Sequence, residues 1–196
     1  MNLEVFRLIN NLANQNVVLD KIMIFFSNDV PYIFMAAIAL VYILGIAQRN
    51  PDYRKIAFST IVITLINLMI NLIIRSVFPV ARPFVYNKVN LLVPHDTASS
   101  FPSNHATGTM SIALGLEKFS KPISIILTVL SIMVGFSRVY VGNHYPADVI
   151  AAYIIVYATS YIYNVKFRSK IENLYGVFEK KSSGLLSASS TSDSKL

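Results

Sequence analysis

The sequence predicts an all-α protein, a polytopic bundle of transmembrane helices. Apolar residues make up 54% of the 196 residues and charged residues only 14%, and the mean hydropathy is +0.54. Because soluble domains usually carry about a quarter charged residues, this balance favours a lipid environment. Long apolar runs between short polar gaps predict about five membrane spans, preceded by an N-terminal interfacial helix.

Four apolar runs are close to the roughly 20 residues that cross a hydrocarbon core. They are Val30–Ala47, Ile56–Phe78, Pro122–Phe136 (continuing to Tyr140) and Ala147–Val165. The fifth span, Asn104–Leu116, is short and rich in small residues, so we expect it to be buried among the others. Val17–Phe26 is too short to span and is interpreted as half-inserted. Asn67 and Asn71 are expected to form hydrogen bonds between helices.

The two ends of the chain differ in character. Near the N-terminus, apolar residues recur at close to helical spacing: Leu3, Phe6, Ile9 and Leu12. This pattern indicates either an amphipathic helix in the membrane interface or a helix packed on the bundle. Serine is abundant from Lys181 onward. We therefore predict a membrane domain over 1–180 and a disordered cytoplasmic tail over 181–196.

The net charge of +7 is distributed as expected for a membrane protein. Basic residues lie in the gaps between apolar runs and form no stripe with interleaved aromatics, so no nucleic-acid partner is expected. With the N-terminus outside, the gaps at 47–55 and 117–122 and the C-terminal tail are cytoplasmic and basic, as the positive-inside rule requires. This topology places the loops at 75–103 and 138–148 outside.

Three polar clusters fall on that outer side. They are Arg75 with Arg82-Pro83, then Pro102-Ser103-Asn104-His105, then Ser137-Arg138 with His144 and Asp148. Ionisable groups at membrane depth are costly and usually mark a functional site. The arginines are suited to holding phosphate oxygens. Ser103 or Asn104 is placed to cap the third helix, whose first free N–H groups attract an anion.

The spacing of the histidines indicates catalysis as well as binding. His144 and Asp148 are four residues apart, with Pro146 suited to a first helical turn between them, so the carboxylate is expected to orient the imidazole. The other ring nitrogen of His144 is then a nucleophile. His105, on a different helix, is available as a general acid. The arginines would repel a divalent ion, so neither a metal nor another cofactor is expected.

These clusters resemble the motifs of the type 2 phosphatidic acid phosphatase (PAP2) superfamily. The pattern of that family is K-x6-RP, then PSGH, then SR-x5-H-x3-D, and this chain has Arg75 in place of the lysine and Asn104 in place of the glycine. Arg75 keeps the charge, and asparagine tolerates left-handed or capping conformations. Within the superfamily, the chain is most similar to the bacitracin-resistance type of undecaprenyl pyrophosphate phosphatase, including the stretch Leu91–His95.

The resemblance implies a role for each matched residue. His144 would form a phosphohistidine, Asp148 would orient it, and His105 would protonate the leaving group. The residues implied to hold the substrate phosphate are Arg75, Arg82, Ser103, Asn104 and Arg138. His95 lies outside the motifs and is interpreted as a structural loop residue.

The sequence thus predicts a phosphatase that acts on a lipid pyrophosphate at the outer face of a bacterial plasma membrane. Undecaprenyl pyrophosphate is the expected substrate. An enzyme of the same mechanism acting on phosphatidic acid or phosphatidylglycerol phosphate is the nearest alternative. A non-catalytic protein that binds or transports a lipid phosphate is a second alternative, although binding alone would not need both histidines and the aspartate.

Overall fold

Helices account for the regular secondary structure of the described part of the chain. The computed structural model describes the backbone of residues 2–192 and the side chains of residues 2–181. The helices are α1 (Asn2–Asn10), α2 (Val17–Asn28), α3 (Val30–Ala47), α4 (Pro51–Val77), α5 (Pro83–Tyr86), α6 (Asn104–Gly115), α7 (Lys121–Tyr140), α8 (Pro146–Lys166) and α9 (Arg168–Ser192). A 3₁₀ turn, Leu116–Lys118, follows α6. The predicted all-α class is confirmed.

Among the described residues, α3, α4, α7 and α8 are long and apolar enough to cross a membrane. They correspond to the four long apolar runs, except that α4 begins several residues early, at Pro51. Asn50 caps this start, since its side chain accepts a hydrogen bond from the Asp52 N–H at 3.0 Å. Proline is also favoured at a first helical position. The polar residues before the apolar run are therefore its first helical turn.

The expected fifth span is α6, and its bounds agree with the predicted Asn104–Leu116 to within one residue. It has only 12 residues, which rise ~18 Å and are too few to cross a membrane alone. It lies beside the middle of α4. Asn71 donates to Thr107 near the start of α6 at 2.7 Å, and a Cβ on Gly115 at its end would lie 2.5 Å from Thr60. The described residues thus contain four helices long enough to span alone, and α6 is a short helix among them, as the sequence predicts.

The interior of the bundle contains many polar side chains beside its apolar core, and large apolar side chains cover the outer surface. Asn67 is fully buried, donates to Ser111 at 2.8 Å and accepts from Thr159 at 2.5 Å. Asn67 and Asn71 thus bond between helices, as predicted. Large apolar side chains such as Leu65 and Ile126 are exposed on the outer surface instead. This distribution suits a protein whose solvent is lipid, because buried polar groups then hold the helices together.

Helices α1 and α2 pack on one end of the bundle, which we call the site end because it carries His144. In α1, Phe6 is 1% exposed and its ring meets Tyr145 edge-on at a centroid distance of 5.6 Å. Asn10 donates to the Asn90 carbonyl at 2.8 Å. Leu8 on the outward side is 72% exposed. Helix α1 is therefore packed on the bundle with an apolar outer side, and its place in the membrane interface stays a prediction.

The other end, which we call the basic end, carries Arg49, Arg54, Lys55, Lys118 and Arg168. Helix α9 packs there, because Arg54 pairs with Glu179 and Tyr175 stacks on Phe58 at 4.8 Å. The backbone of α9 continues through Ser192, into the segment for which the sequence predicts disorder. Residues 193–196 lie outside the described residues, and disorder of the tail stays a prediction.

Candidate active site

Three segments meet at the site end and bring the sequence clusters together. The loop between α4 and α6 carries Arg82, the start of α6 carries Ser103, and the turn between α7 and α8 carries His144. The Ser103 N–H donates to the Asp148 carbonyl at 3.2 Å, which ties the start of α6 to the first turn of α8. Residues far apart in sequence therefore form one cluster.

His144 lies at the buried centre of this cluster, with 2% exposure. Its Nε2 lies 3.2 Å from Nη1 of Arg82. Its Nδ1 lies 3.2 Å from Oγ of Ser100 and 3.5 Å from Oδ2 of Asp148. Burial lowers the pKa of His144 to about 4, and Arg138 and Arg82 act in the same direction while Asp148 opposes them. The imidazole is therefore neutral near pH 7.

Asp148 reaches His144 chiefly through Ser100. The Ser100 hydroxyl is fully buried and forms a short hydrogen bond with Oδ2 of Asp148. The same carboxylate oxygen accepts the Tyr145 N–H at 2.8 Å. The sequence predicts a direct pairing from the four-residue spacing. That spacing applies within a helix, however, and α8 begins only at Pro146, after His144.

Arg82 and Arg138 are buried, and their guanidinium groups have unused hydrogen-bond donors. They are 2% and 1% exposed, and within the described residues the Nε atom of each has no hydrogen-bond partner. Arg138 is held by the Ser27 hydroxyl at the end of α2, which accepts from its Nη1 at 2.5 Å. A buried charged donor without a partner is costly. A phosphate oxygen is an acceptor that would satisfy both groups.

Arg75 lies at the edge of the cluster, near the end of α4. Its Nε donates to the Ser99 carbonyl at 3.0 Å, and its Nη2 donates to the same oxygen. It is half-buried and interacts electrostatically with Asp96 and Asp148. Arg75 thus adds positive charge to the site while part of its guanidinium is bound to the loop.

Ser103 and Asn104 open α6 in different ways. Ser103 is the N-cap residue, fully buried, and its hydroxyl accepts the Ala106 N–H at 3.5 Å. Asn104 is the first helical residue, and its side-chain oxygen accepts from Asn71 at 3.1 Å. Of the two residues that the sequence offers as a cap, Ser103 takes that position. Asn104 is exposed at the free N–H end of the helix, where an anion is favoured.

His105 lies between the arginine cluster and the lipid-facing surface. Its ring interacts electrostatically with Arg138 and His144. The ring makes no hydrogen bond to any residue in the described part of the chain, so both of its nitrogens are available to a ligand.

His105 also borders an apolar groove of about 340 Å³ between α3, α4 and α6. Met35 and Leu65, which line this groove, are exposed on the outer surface. Gly108 lines it as well, and a Cβ built on that residue would meet no atom within 4 Å. The groove therefore connects the start of α6 with the lipid phase.

His95 is linked to the cluster through its neighbour in sequence. Its Nδ1 lies 3.0 Å from Oδ1 of Asp96, and the same oxygen lies 3.6 Å from Nη2 of Arg82. Burial lowers the pKa of His95, and Arg82 acts in the same direction. His95 is therefore a loop residue at the edge of the site rather than one remote from it.

The side chains of the cluster match an oxyanion better than a metal. Among residues 2–181, no three histidine, cysteine, aspartate or glutamate side chains converge. Two buried guanidinium groups lie in the cluster, and their positive charge would repel a metal cation. The cluster thus combines a neutral histidine, a carboxylate and two buried guanidinium groups, a set of side chains that suits a phosphate.

Comparison with known proteins identifies the family. A sequence profile of the PAP2 superfamily matches residues 55–171, and the chain belongs to this superfamily. It is 31% identical over 163 residues to the undecaprenyl-diphosphatase BcrC of Bacillus subtilis (strain 168), covering 83% of this chain and 82% of the relative. It is 35% identical over 160 residues to an undecaprenyl-diphosphatase of Sulfolobus acidocaldarius, covering 79% of this chain and 72% of the relative.

Solved structures agree with this assignment. The crystal structure of Aquifex aeolicus LpxE matches with a TM-score of 0.66 and 28% identity, over 82% of this chain and 93% of the other. A transmembrane PAP2-type phosphatidylglycerolphosphate phosphatase of B. subtilis matches in fold, with a TM-score of 0.62 and 20% identity, over 84% of this chain and 87% of the other. The protein is a multi-pass membrane enzyme with lipid phosphatase activity.

Proposed function

We propose that the protein hydrolyses undecaprenyl pyrophosphate to undecaprenyl phosphate and inorganic phosphate. The observation that carries this proposal is that a lipid-facing apolar groove ends at Asn104 and His105, beside the cluster of His144 and the arginines. Such a site suits a phosphate carried on a long apolar chain. The names of the two relatives above favour a polyprenyl pyrophosphate over a phospholipid. This activity would recycle the carrier lipid of wall synthesis and give tolerance to bacitracin.

In the proposed mechanism, the Nε2 lone pair of His144 attacks the terminal phosphorus. The N–P bond forms as the bond from phosphorus to the bridging oxygen breaks, and its electron pair leaves with undecaprenyl phosphate. His105 protonates that oxygen, and the negative charge of the incoming pyrophosphate favours the protonated imidazole. Water then attacks the phosphohistidine and gives a proton to His105. Phosphate leaves, and the lone pair returns to Nε2.

Arg82 controls the nucleophile before the substrate arrives. A guanidinium only donates, so Nη1 of Arg82 occupies the Nε2 lone pair at 3.2 Å. A phosphate bound by Arg82 and Arg138 draws these donors to its own oxygens. Nε2 is then free and faces the phosphorus. Arg75, Ser103 and the Asn104 N–H complete the cradle around the transferred group.

The proposed location is a bacterial plasma membrane, with the site end facing outside. The basic end gathers most of the lysines and arginines that are not part of the site, such as Arg49, Lys55 and Lys118. Positively charged loops are retained in the cytoplasm. A site on the opposite face is reached by a lipid head group in the outer leaflet.

The direct test measures phosphate release by the purified chain in detergent from undecaprenyl pyrophosphate, phosphatidic acid and phosphatidylglycerol phosphate. We expect the polyprenyl substrate to have the highest kcat/KM. His144→Ala should abolish release from all three lipids while the protein remains folded, because the covalent step is lost. Preference for a phospholipid would refute the substrate assignment. Near-normal activity of the alanine variant would refute the role of His144.

A further inference from the structure

Ser100 lies outside every motif that the sequence shows, yet it is at the centre of the site. Its side chain is fully buried between His144 and Asp148. Its backbone is held separately, because its N–H donates to the Val80 carbonyl at 2.7 Å. The position of the loop therefore does not depend on the Ser100 hydroxyl.

The hydrogen-bond directions around His144 can be assigned from the donors alone. Arg82 has no acceptor atom, so its contact with Nε2 at 3.2 Å requires a lone pair on Nε2. In a neutral imidazole the proton is then on Nδ1. The nearest acceptor for that proton is the Ser100 hydroxyl oxygen at 3.2 Å, ahead of the Asp148 carboxylate at 3.5 Å.

The same reasoning extends to Asp148. The Ser100 hydroxyl accepts from Nδ1, so its single proton is donated to Oδ2 of Asp148. That oxygen is itself fixed by the Tyr145 N–H at 2.8 Å, in the first turn of α8. A continuous series of donors thus runs from Arg82 through His144 and Ser100 to the anchored carboxylate.

We propose that Ser100 is a positioning residue that couples Asp148 to the nucleophile. Its hydroxyl holds the proton on Nδ1 of His144, keeps Nε2 unprotonated and fixes the plane of the ring. When Nε2 bonds to phosphorus, the ring retains its Nδ1 proton and becomes cationic. Ser100 then relays the negative charge of Asp148 to that cation, in a buried setting where such interactions are strong. This inference rests on the proposed role of His144.

The test compares Ser100→Ala with Ser59→Ala in the full chain, using the lipid phosphate that the wild-type protein hydrolyses fastest. Ser59 is equally buried and bonds to the Tyr163 hydroxyl at 2.9 Å, away from the site. Loss of a hydrogen bond to a developing charge should lower kcat of Ser100→Ala by about 10- to 100-fold with KM nearly unchanged. Ser59→Ala should keep the wild-type kcat.

A double-mutant cycle separates coupling from general damage. If Ser100 acts through Asp148, Ser100→Ala combined with Asp148→Asn should lower kcat hardly more than Asp148→Asn alone. Wild-type kcat in Ser100→Ala, an effect confined to KM, or full additivity with Asp148→Asn would each overturn the inference. If any of these results is found and His144→Ala is inactive, the proposed function still stands. An active His144→Ala would instead remove the proposed function.

Discussion

Filling the apolar groove should separate lipid substrates from soluble ones. Along α6 the groove extends from Asn104 to Ile112, a rise of ~12 Å, with Gly108 at its middle. A Cβ on Gly108 would meet no atom within 4 Å, so a large side chain there can enter the groove without displacing a neighbour. We therefore expect Gly108→Trp to fold normally and to occupy the path of the polyprenyl chain.

The size of the effect follows from the chain surface that is displaced. Excluding roughly 100 Å² of apolar chain from the groove costs about 2.5 kcal/mol. That free energy lowers kcat/KM for the polyprenyl substrate about 70-fold. Gly108→Ala is the matched control, because it removes the same glycine from the helix but leaves the groove open. It should keep full activity.

The assay compares undecaprenyl pyrophosphate with a small soluble aryl phosphate, which reaches the arginine cluster without using the groove. We expect Gly108→Trp to lose activity on the lipid and retain it on the aryl phosphate. Unchanged activity on both substrates would mean that the chain does not lie along α6. Equal losses on both would mean that the substitution damages the site itself.

Three further predictions concern the chemistry. His105→Ala should slow the lipid reaction about 10²–10⁴-fold. It should slow the reaction of an activated aryl phosphate much less, since a good leaving group needs little protonation. Equal slowing of both substrates in rate assays would assign His105 another role. Chelation with EDTA should leave activity largely intact because arginines neutralise the transferred phosphate, and loss of activity reversed by one divalent ion would contradict this. The pKa of buried His144 is about 4 instead of 6.5. Between these pH values the unfolded chain binds more protons than the folded protein does, so the free energy of unfolding falls as pH falls from 6.5 to 4. The melting temperature in detergent should drop more between pH 7 and pH 4.5 for the wild type than for His144→Gln, and equal drops would contradict the effect of burial.

Features governed by local sequence were predicted well. Apolar runs marked α3, α4, α7 and α8, since a span must satisfy its own backbone hydrogen bonds within a fixed thickness. Pro146 marked the first turn of α8, and the small residues of Asn104–Leu116 marked α6 as buried. The bounds of α6 agree with the predicted Asn104–Leu116 to within one residue, because burial by neighbouring helices permits a helix this short.

The contacts that sequence reasoning missed are long-range. Ser100 meets Asp148 across 48 positions, and Ser27 meets Arg138 across 111 positions. Neither serine has a spacing that sets it apart from other serines. For Ser27, one signal was available: it is a polar residue at the break between two apolar helices, where a side chain at membrane depth needs a partner. For Ser100, only its closeness to Pro102 in the second cluster was informative.

The last prediction concerns the face on which the site lies. Since the chain contains no cysteine, a single introduced thiol reports its own side of the membrane. Lys88 is exposed at the site end and Gln48 is exposed at the basic end. Gln48 is preferable to its neighbour Asn50, which caps α4.

In intact cells, Lys88→Cys should react with an impermeant thiol reagent, whereas Gln48→Cys should react only after lysis, because the positive-inside rule keeps the basic end in the cytoplasm. Overexpression in the same cells should raise tolerance to an antibiotic that sequesters undecaprenyl pyrophosphate. The reverse labelling pattern would place the site in the cytoplasm. Outward labelling without tolerance would keep the orientation and direct the substrate assignment to a phospholipid.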